Sequence, residues 1–289
     1  MQVVHSIDEM RTIIHQARTD GKTIGLVPTM GALHVGHLKL VSHAKQDCGF
    51  VVVSIFVNPT QFGPSEDFNK YPRTLEADCR KCESAEADVI FAPLAVDMYP
   101  GGFDTWIDVK GPAELLEGQS RPEHFRGVAT VCTKLFNITD ADRAYFGKKD
   151  YQQLIVIKKI VSDLNMNVEI VPIDTVRERD GLAISSRNSY LDSREHEAAL
   201  VLSRSLEMAR QAFEKGERNA KALQTRVWNL IAAEPLAKVD YVAVADAETL
   251  APVETIERDA VVLLAVRVGS TRLIDNIVLA AGCRVSGVG

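Results

Sequence analysis

The chain has 289 residues, with 33 Lys and Arg against 39 Asp and Glu, a formal net charge of −6 and 46% hydrophobic residues. At roughly 150 residues per domain this globular composition predicts about two domains, large enough to bury a core without a metal or disulfide staple. Its longest apolar runs, such as Val51 to Val53 and Ala260 to Val266, fall far short of the ~18 residues of a membrane span, and an acidic chain lacks the basic surplus of a nucleic-acid binder.

Asp8, Glu9 and Arg11 interrupt the segment where a signal peptide would be apolar, so the expected location is cytoplasmic. Five cysteines, an odd number, then read as reduced thiols. Cys79-Arg80-Lys81-Cys82 spells C-x-x-C, but Glu76 to Asp78 and Glu83 to Ala85 read as a polar helix carrying two cysteines, without the second ligand pair of a zinc site.

Along the chain, apolar runs predict strands near 23–28, 50–57, 88–92, 142–146 and 168–173. Amphipathic stretches predict helices over 37–47, 73–86, 126–138 and 150–163. This alternation is that of β-α-β units, hence an α/β fold with a mostly parallel sheet over residues 1–175. Leu154, Ile157, Ile160, Val161 and Leu164 form one apolar stripe, read as core. Asn58 to Tyr71, with Asn58-Pro59 and Gly63-Pro64, reads as a long connection of the kind that often carries function. After residue 176 two helices, 193–214 and 219–233, precede apolar runs at 239–245, 260–266 and 273–280. Gly269-Ser270 makes the last two a hairpin, so 176–289 is a smaller α+β domain.

The densest chemical signal follows the 23–28 strand: Pro28-Thr29-Met30-Gly31-Ala32-Leu33-His34-Val35-Gly36-His37, then a helix. A strand, a glycine-bearing loop and a helix start make an anion site from backbone N–H groups and the helix dipole, with Gly31 and Gly36 allowing close approach. The spacing is neither G-x-G-x-x-G nor G-x-x-x-x-G-K, so the dinucleotide and P-loop fingerprints are absent. His34 and His37 can supply donors to phosphate oxygens. A metal at these histidines would need further ligands that the nearby sequence lacks.

H-x-G-H after Pro-Thr-Met-Gly-Ala-Leu resembles the H-I-G-H motif of adenylyl-transferring nucleotidyltransferases and, more closely, the pantothenate synthetase (pantoate:beta-alanine ligase) family. Further resemblance lies in Phe56-Val57-Asn58-Pro59-Thr60-Gln61-Phe62, Tyr71-Pro72-Arg73-Thr74, His124-Phe125-Arg126-Gly127-Val128, Phe146-Gly147-Lys148-Lys149-Asp150-Tyr151-Gln152-Gln153 and Ser185-Ser186-Arg187-Asn188. It covers nearly the whole chain and implies a Rossmann-like N-terminal domain for ATP and pantoate with a C-terminal lid, acting as a homodimer on small molecules.

The resemblance assigns catalysis to His34, His37 and Lys149, and ATP binding to Met30, Gly31, Ala32, Leu33, Val35, Gly36, Gly147, Lys148, Asp150, Val176, Ile184, Ser185, Ser186 and Arg187 beside those three. Gln61 and Gln153 are assigned to substrate. Lys148 stands where many family members have Glu, and Lys149 is chosen by register with Asp150 and the glutamines. Taken alone, Gln61 reads as solvated, Gln153 as facing water, and the Ser185 to Arg187 stretch equally well as a cap for the helix near Ser193. Mg²⁺ is implied by ATP chemistry; Asp78 is a weak outer partner for it, a helix-surface carboxylate being the plainer reading. The implied reaction is ATP-dependent condensation of pantoate with beta-alanine through pantoyl adenylate. Its rivals are transfer of a nucleotidyl group to a phosphorylated acceptor, disfavoured by the uncharged Gln61 and Gln153, and a non-catalytic nucleotide sensor.

Overall fold

The computed structural model describes residues 1–64, 66 and 68–282; the fifth cysteine, Cys283, and two positions of the 58–71 connection lie outside it. The chain divides into two compact units, Met1–Lys148 with Gln152–Thr175, and Lys149–Tyr151 with the chain from Val176 onward.

The first unit runs β1 (Gln2–Val4), α1 (Ile7–Thr19), β2 (Ile24–Thr29), α2 (Val35–Asp47), β3 (Phe50–Ile55), α3 (Leu75–Ser84), β4 (Val89–Phe91), α4 (Ala95–Met98), α5 (Glu117–Ser120), α6 (His124–Thr139), β5 (Arg143–Gly147), α7 (Tyr151–Asp163, its first residue counted with the second unit) and β6 (Glu169–Ile173). Its six strands pair in parallel in the order β1-β4-β3-β2-β5-β6. Side chains alternate across each strand, and the alternation sorts the core into two layers. Leu26, Val52, Phe91 and Phe146 pack with Met10 and Ile14 of α1, Leu135 of α6 and Ile157 of α7. Val27, Val53, Ile90 and Tyr145 pack with Leu40 and Val41 of α2 and Cys82 of α3. The α/β expectation holds, in Rossmann-like form. The strand order reverses between β2 and β5, which opens a crevice beyond their carboxyl ends, where the chain leaves at Met30 and Lys148.

Several local expectations are corrected. β1 and α1 precede the first predicted strand; α1 is amphipathic and capped by Ser6, which accepts the Glu9 N–H. α2 begins two residues earlier than predicted, which makes His34 its N-cap and places His37 in its first turn. α3 is not polar throughout, since Asp78 and Cys82 are fully buried. Cys79 and Cys82 are free thiols, raised in pKa first by burial and then by Asp78, with Cys82 pushed up to about 12, so neither is a ready thiolate. Leu164 falls beyond the end of α7 and is exposed, while Leu154, Ile157 and Ile160 are core.

In the second unit, α8 (Ser193–Glu214) and α9 (Ala220–Ala232) accompany β7 (Ala237–Asp246), β8 (Ala260–Val268) and β9 (Thr271–Leu279), an antiparallel sheet in that order. The β8–β9 hairpin turns at Gly269-Ser270 as the sequence predicts. Leu202, Leu206, Leu223, Ile231, Val262 and Leu264 lie in one apolar core. The cap of α8 is Asp192, whose carboxylate takes the Arg194 and Glu195 N–H groups, not the Ser185 to Arg187 stretch. Among the described residues, no helix is long and apolar enough to cross a membrane.

Candidate active site

The loop after β2 is held from inside. Thr29 donates its hydroxyl to Ser54 O at 2.7 Å and accepts the Gly31 N–H at 3.2 Å. Gly31 then turns at φ +81° and Ala32 at φ +50°. Glycine meets the first at little cost; a Cβ there would also lie 3.2 Å from Asp78 Oδ2 and from Ile55 Cγ2. The turn aims the N–H groups of Ala32 and Leu33 at the Asp78 carboxylate, 2.9 and 2.8 Å away. Asp78 also accepts the Thr74 hydroxyl at 3.1 Å, and Lys81 Nζ donates to Leu33 O at 2.6 Å. Asp78 is therefore neither a helix-surface carboxylate nor well placed to serve a metal: its oxygens are committed to the loop. The backbone anion site expected here narrows to the start of α2, because two of its N–H groups serve Asp78.

That start carries the histidines. Their rings stack with centroids 4.0 Å apart and planes 25° from parallel. His37 Nδ1 accepts the His34 backbone N–H at 3.3 Å, so the neutral ring carries its proton on Nε2 by assignment from the heavy-atom geometry. Gly36 makes room, since a Cβ there would sit 3.0 Å from the His34 ring.

Gln61, in a short 3₁₀ turn Pro59–Gln61 after β3, is 8% exposed and not a solvated side chain. Asn58 Nδ2 donates to Gln61 Oε1 at 2.9 Å and to Gly127 O at 3.2 Å. With Oε1 occupied, Gln61 offers Nε2 as a donor. Gly127 lets α6 approach this turn, because a Cβ would meet Thr60 O at 2.4 Å. His124 Nδ1 lies 2.8 Å from Gln61 O and its Nε2 lies 3.1 Å from Arg121 Nη1. Burial, followed by the Arg121 charge, lowers the His124 pKa to about 4, so it is neutral, with Nδ1–H donating and Nε2 accepting.

The adjacent glutamines of α7 part ways. Gln152 is 3% exposed, donates to Pro112 O and Leu115 O and accepts the Glu117 N–H, a structural role. Gln153 is half-buried rather than facing water, and has no hydrogen-bond partner among the described residues. The adjacent lysines differ likewise. Lys148 Nζ pairs with Asp174 at 2.6 Å, which lowers the Asp174 pKa. Lys149 belongs to the second unit, and its Nζ lies 3.7 Å from Asp150.

In the second unit, Val176 O accepts the Ile184 N–H, and Arg177 bridges Ala183, so a small hairpin leads into the candidate loop. Ser185 Oγ accepts the Arg187 N–H at 3.3 Å, and Asn188 Nδ2 donates to Glu178 and to Ala183 O. Glu178, Asp180 and His196 bring ligand atoms within 4.8 Å of one another. They are already engaged, His196 Nε2 with Asp180 at 2.7 Å and Glu178 with Asn188.

A family model described as pantoate-beta-alanine ligase matches residues 2–278. The chain belongs to the pantoate-beta-alanine ligase family. It is 53% identical to a pantothenate synthetase of Pelotomaculum thermopropionicum over 96% of this chain and 99% of that protein. The crystal structure of pantothenate synthetase from Thermus thermophilus superposes with a TM-score of 0.91 at 44% identity, covering 96% of this chain and 99% of that one. That of pantoate-beta-alanine ligase from Francisella tularensis, complexed with beta-gamma ATP and beta-alanine, gives 0.78 at 35% identity over 98% and 99%. Sequence reasoning named the histidines, Gln61 and Gln153 but missed the groups that hold them. Asn58, Thr74 and His124 lay inside the sequence motifs with no signal beyond position, and Lys81 gave none.

Proposed function

We infer that this chain condenses pantoate with beta-alanine at the expense of ATP, by way of pantoyl adenylate. The pantoate carboxylate attacks the α-phosphorus and releases pyrophosphate; the beta-alanine amine then displaces AMP to give pantothenate. No protein nucleophile is required, so positioning and charge stabilisation carry the rate. The observation that carries the reading is the stacked His34–His37 pair at the start of α2, on a loop fixed by Asp78.

In this reading His37 Nε2 and His34 donate to the α-phosphoryl oxygens as charge grows there. Met30 to Gly36 line the nucleotide, and Gly147, Lys148 and Asp150 flank it. Gln61 Nε2 and Gln153 hold pantoate; a neutral donor suits a hydroxyl or a single carboxylate. Lys149, Ser186 and Arg187 take the β- and γ-phosphates and the leaving pyrophosphate, with Ile184, Ser185 and the Val176 backbone beside the nucleotide. The first unit is the ATP and pantoate domain, and the second the lid. Mg²⁺ fits no side-chain set identified above, Asp78 included, so it is assigned to the ATP phosphates, whose charge it neutralises. The homodimer rests on family resemblance alone, and sedimentation at micromolar concentration tests it.

The decisive experiment is ATP–pyrophosphate exchange with pantoate and without beta-alanine, together with AMP release once beta-alanine is added. Exchange that requires pantoate, and is lowered about a hundredfold by His37→Ala, is the expected result. Exchange that proceeds without pantoate, or an unimpaired His37→Ala enzyme, overturns the assignment.

A further inference from the structure

Lys149 is held by the second unit through two contacts of its own segment. Asn276 Nδ2, on β9, donates to Lys149 O at 2.8 Å, and the Tyr151 hydroxyl donates to Ala247 O at 2.9 Å. Asn276 is itself fixed. It is 6% exposed and in register with Leu263 of β8; its N–H donates to Asp275 Oδ1 at 2.8 Å, and its carbonyl accepts from Arg177 Nη2 at 3.5 Å.

Asp275, 3% exposed, pairs with both terminal nitrogens of Arg177, at 2.7 and 3.0 Å. A planar guanidinium bonded twice to a buried carboxylate has little rotational freedom, so the pair is a rigid support. Arg177 also donates to Gly181 O at 3.1 Å, across the hairpin that runs into Ile184, Ser185, Ser186 and Arg187. One buried corner of β9 thus grips two segments that lie 127 and 98 residues from it along the chain. These are the segments to which the proposed function gives the phosphates. Lys148, one residue earlier, is instead tied to Asp174 of the first unit.

We propose that Asn276, backed by the Arg177–Asp275 pair, is a positioning residue for adenylation: it sets where Lys149 stands relative to the Ser186–Arg187 loop on the same unit. The inference rests on the phosphate role of Lys149. Asn276 reaches Lys149 through the Lys149 backbone carbonyl and acts on the phosphates through it. An amide suits the task because its donor meets a carbonyl; a carboxylate there would set acceptor against acceptor. Misplacing a charge-stabilising group by about 1 Å costs on the order of a hundredfold in rate. The second half-reaction, beta-alanine with preformed pantoyl adenylate, transfers no pyrophosphate and has no use for Lys149 at the β- and γ-phosphates.

The test compares Asn276→Ala and the isosteric Asn276→Asp with Lys149→Ala and with Lys149→Ala/Asn276→Ala, in the full-length protein. Arg177 and Asp275 are left intact, because removing either partner strands a buried charge and destabilises the fold. Both Asn276 variants should lower kcat for pantoate-dependent exchange about ten- to a hundredfold, with KM for pantoate and AMP release from preformed adenylate within about twofold of the parent. The double variant should be no slower than Lys149→Ala within about threefold, as expected of a residue that acts through another. Unchanged exchange in a folded Asn276→Asp enzyme, equal loss in both half-reactions, or fully additive losses would overturn the proposal. A Lys149→Ala enzyme with parental exchange would instead overturn the phosphate role of Lys149, and the positioning role with it.

Discussion

The sharpest test of the site's construction is Asp78→Asn, which keeps the shape of the side chain and removes one acceptor. Asp78 is fully buried, and its two oxygens receive three donors: Ala32 N–H and the Thr74 hydroxyl on Oδ2, and Leu33 N–H on Oδ1. An amide can present its oxygen to only one side, so in either orientation one backbone N–H faces an NH₂ group. A hydrogen bond to a charged group contributes about 1.5–3 kcal/mol, and a buried N–H left unmatched costs about 1–3 kcal/mol. These overlap, and about 3 kcal/mol is a reasonable net loss. The loop also holds Ala32 at φ +50°, a left-handed conformation that costs a non-glycine residue about 1 kcal/mol and needs the Asp78 contact to persist. At roughly 2–4 °C per kcal/mol for a unit of this size, the melting temperature should fall about 6–12 °C. Because Leu33 leads directly into His34, pantoate-dependent exchange measured well below the new midpoint should also fall, by about tenfold or more. Differential scanning calorimetry and the exchange assay read the two effects. A variant that melts within about 1 °C of the parent and exchanges at its rate would refute the view that this carboxylate sets the loop.

Two further outcomes follow from the same geometry. Gln61→Glu replaces the Nε2 donor with an anion at the proposed pantoate site, and should lower kcat/KM for pantoate about a hundredfold while KM for ATP stays within about twofold, read by initial rates. For His124, with its folded pKa lowered to about 4 against an ordinary 6.5, the unfolded chain binds the extra proton between those values. Stability is therefore intact above pH 6.5 and is lost as pH falls toward 4, by about 2 kcal/mol once the shift is discounted for a half-buried ring. Denaturant melts from pH 7 to 4 should show that loss in the parent and a shallower one in His124→Asn.

The periodicity of the chain settled the fold class because burial is periodic. Strands sheltered on both faces must be apolar throughout, so Val51 to Val53 and Val89 to Phe91 announced themselves. The β8–β9 hairpin was equally plain from Gly269-Ser270, a local turn with local chemistry. The short β1 was invisible because a three-residue strand leaves no period to count; only its pairing with β4 makes it one. The helix around Cys79 misled for a related reason, since a charged residue scores as surface until a partner distant in sequence is known.

Residue types and spacing also determined which side chains to suspect, because H-x-G-H after a strand is a local arrangement at a helix start. What they left undecided was which of two like neighbours would be committed elsewhere. Gln152 and Gln153, or Lys148 and Lys149, are interchangeable as letters, and they separate only when Pro112, Leu115, Asp174 and Asn276 arrive from other parts of the chain. The same holds for Asp78: its charge is written in the sequence, but its role depends on the Ala32 and Leu33 N–H groups, 46 and 45 residues away, that the fold brings to it. Local pattern fixes backbone conformation and hydrophobic faces, whereas the partner of a polar group is a non-local fact, and the partner decides whether that group supports the fold or meets a substrate.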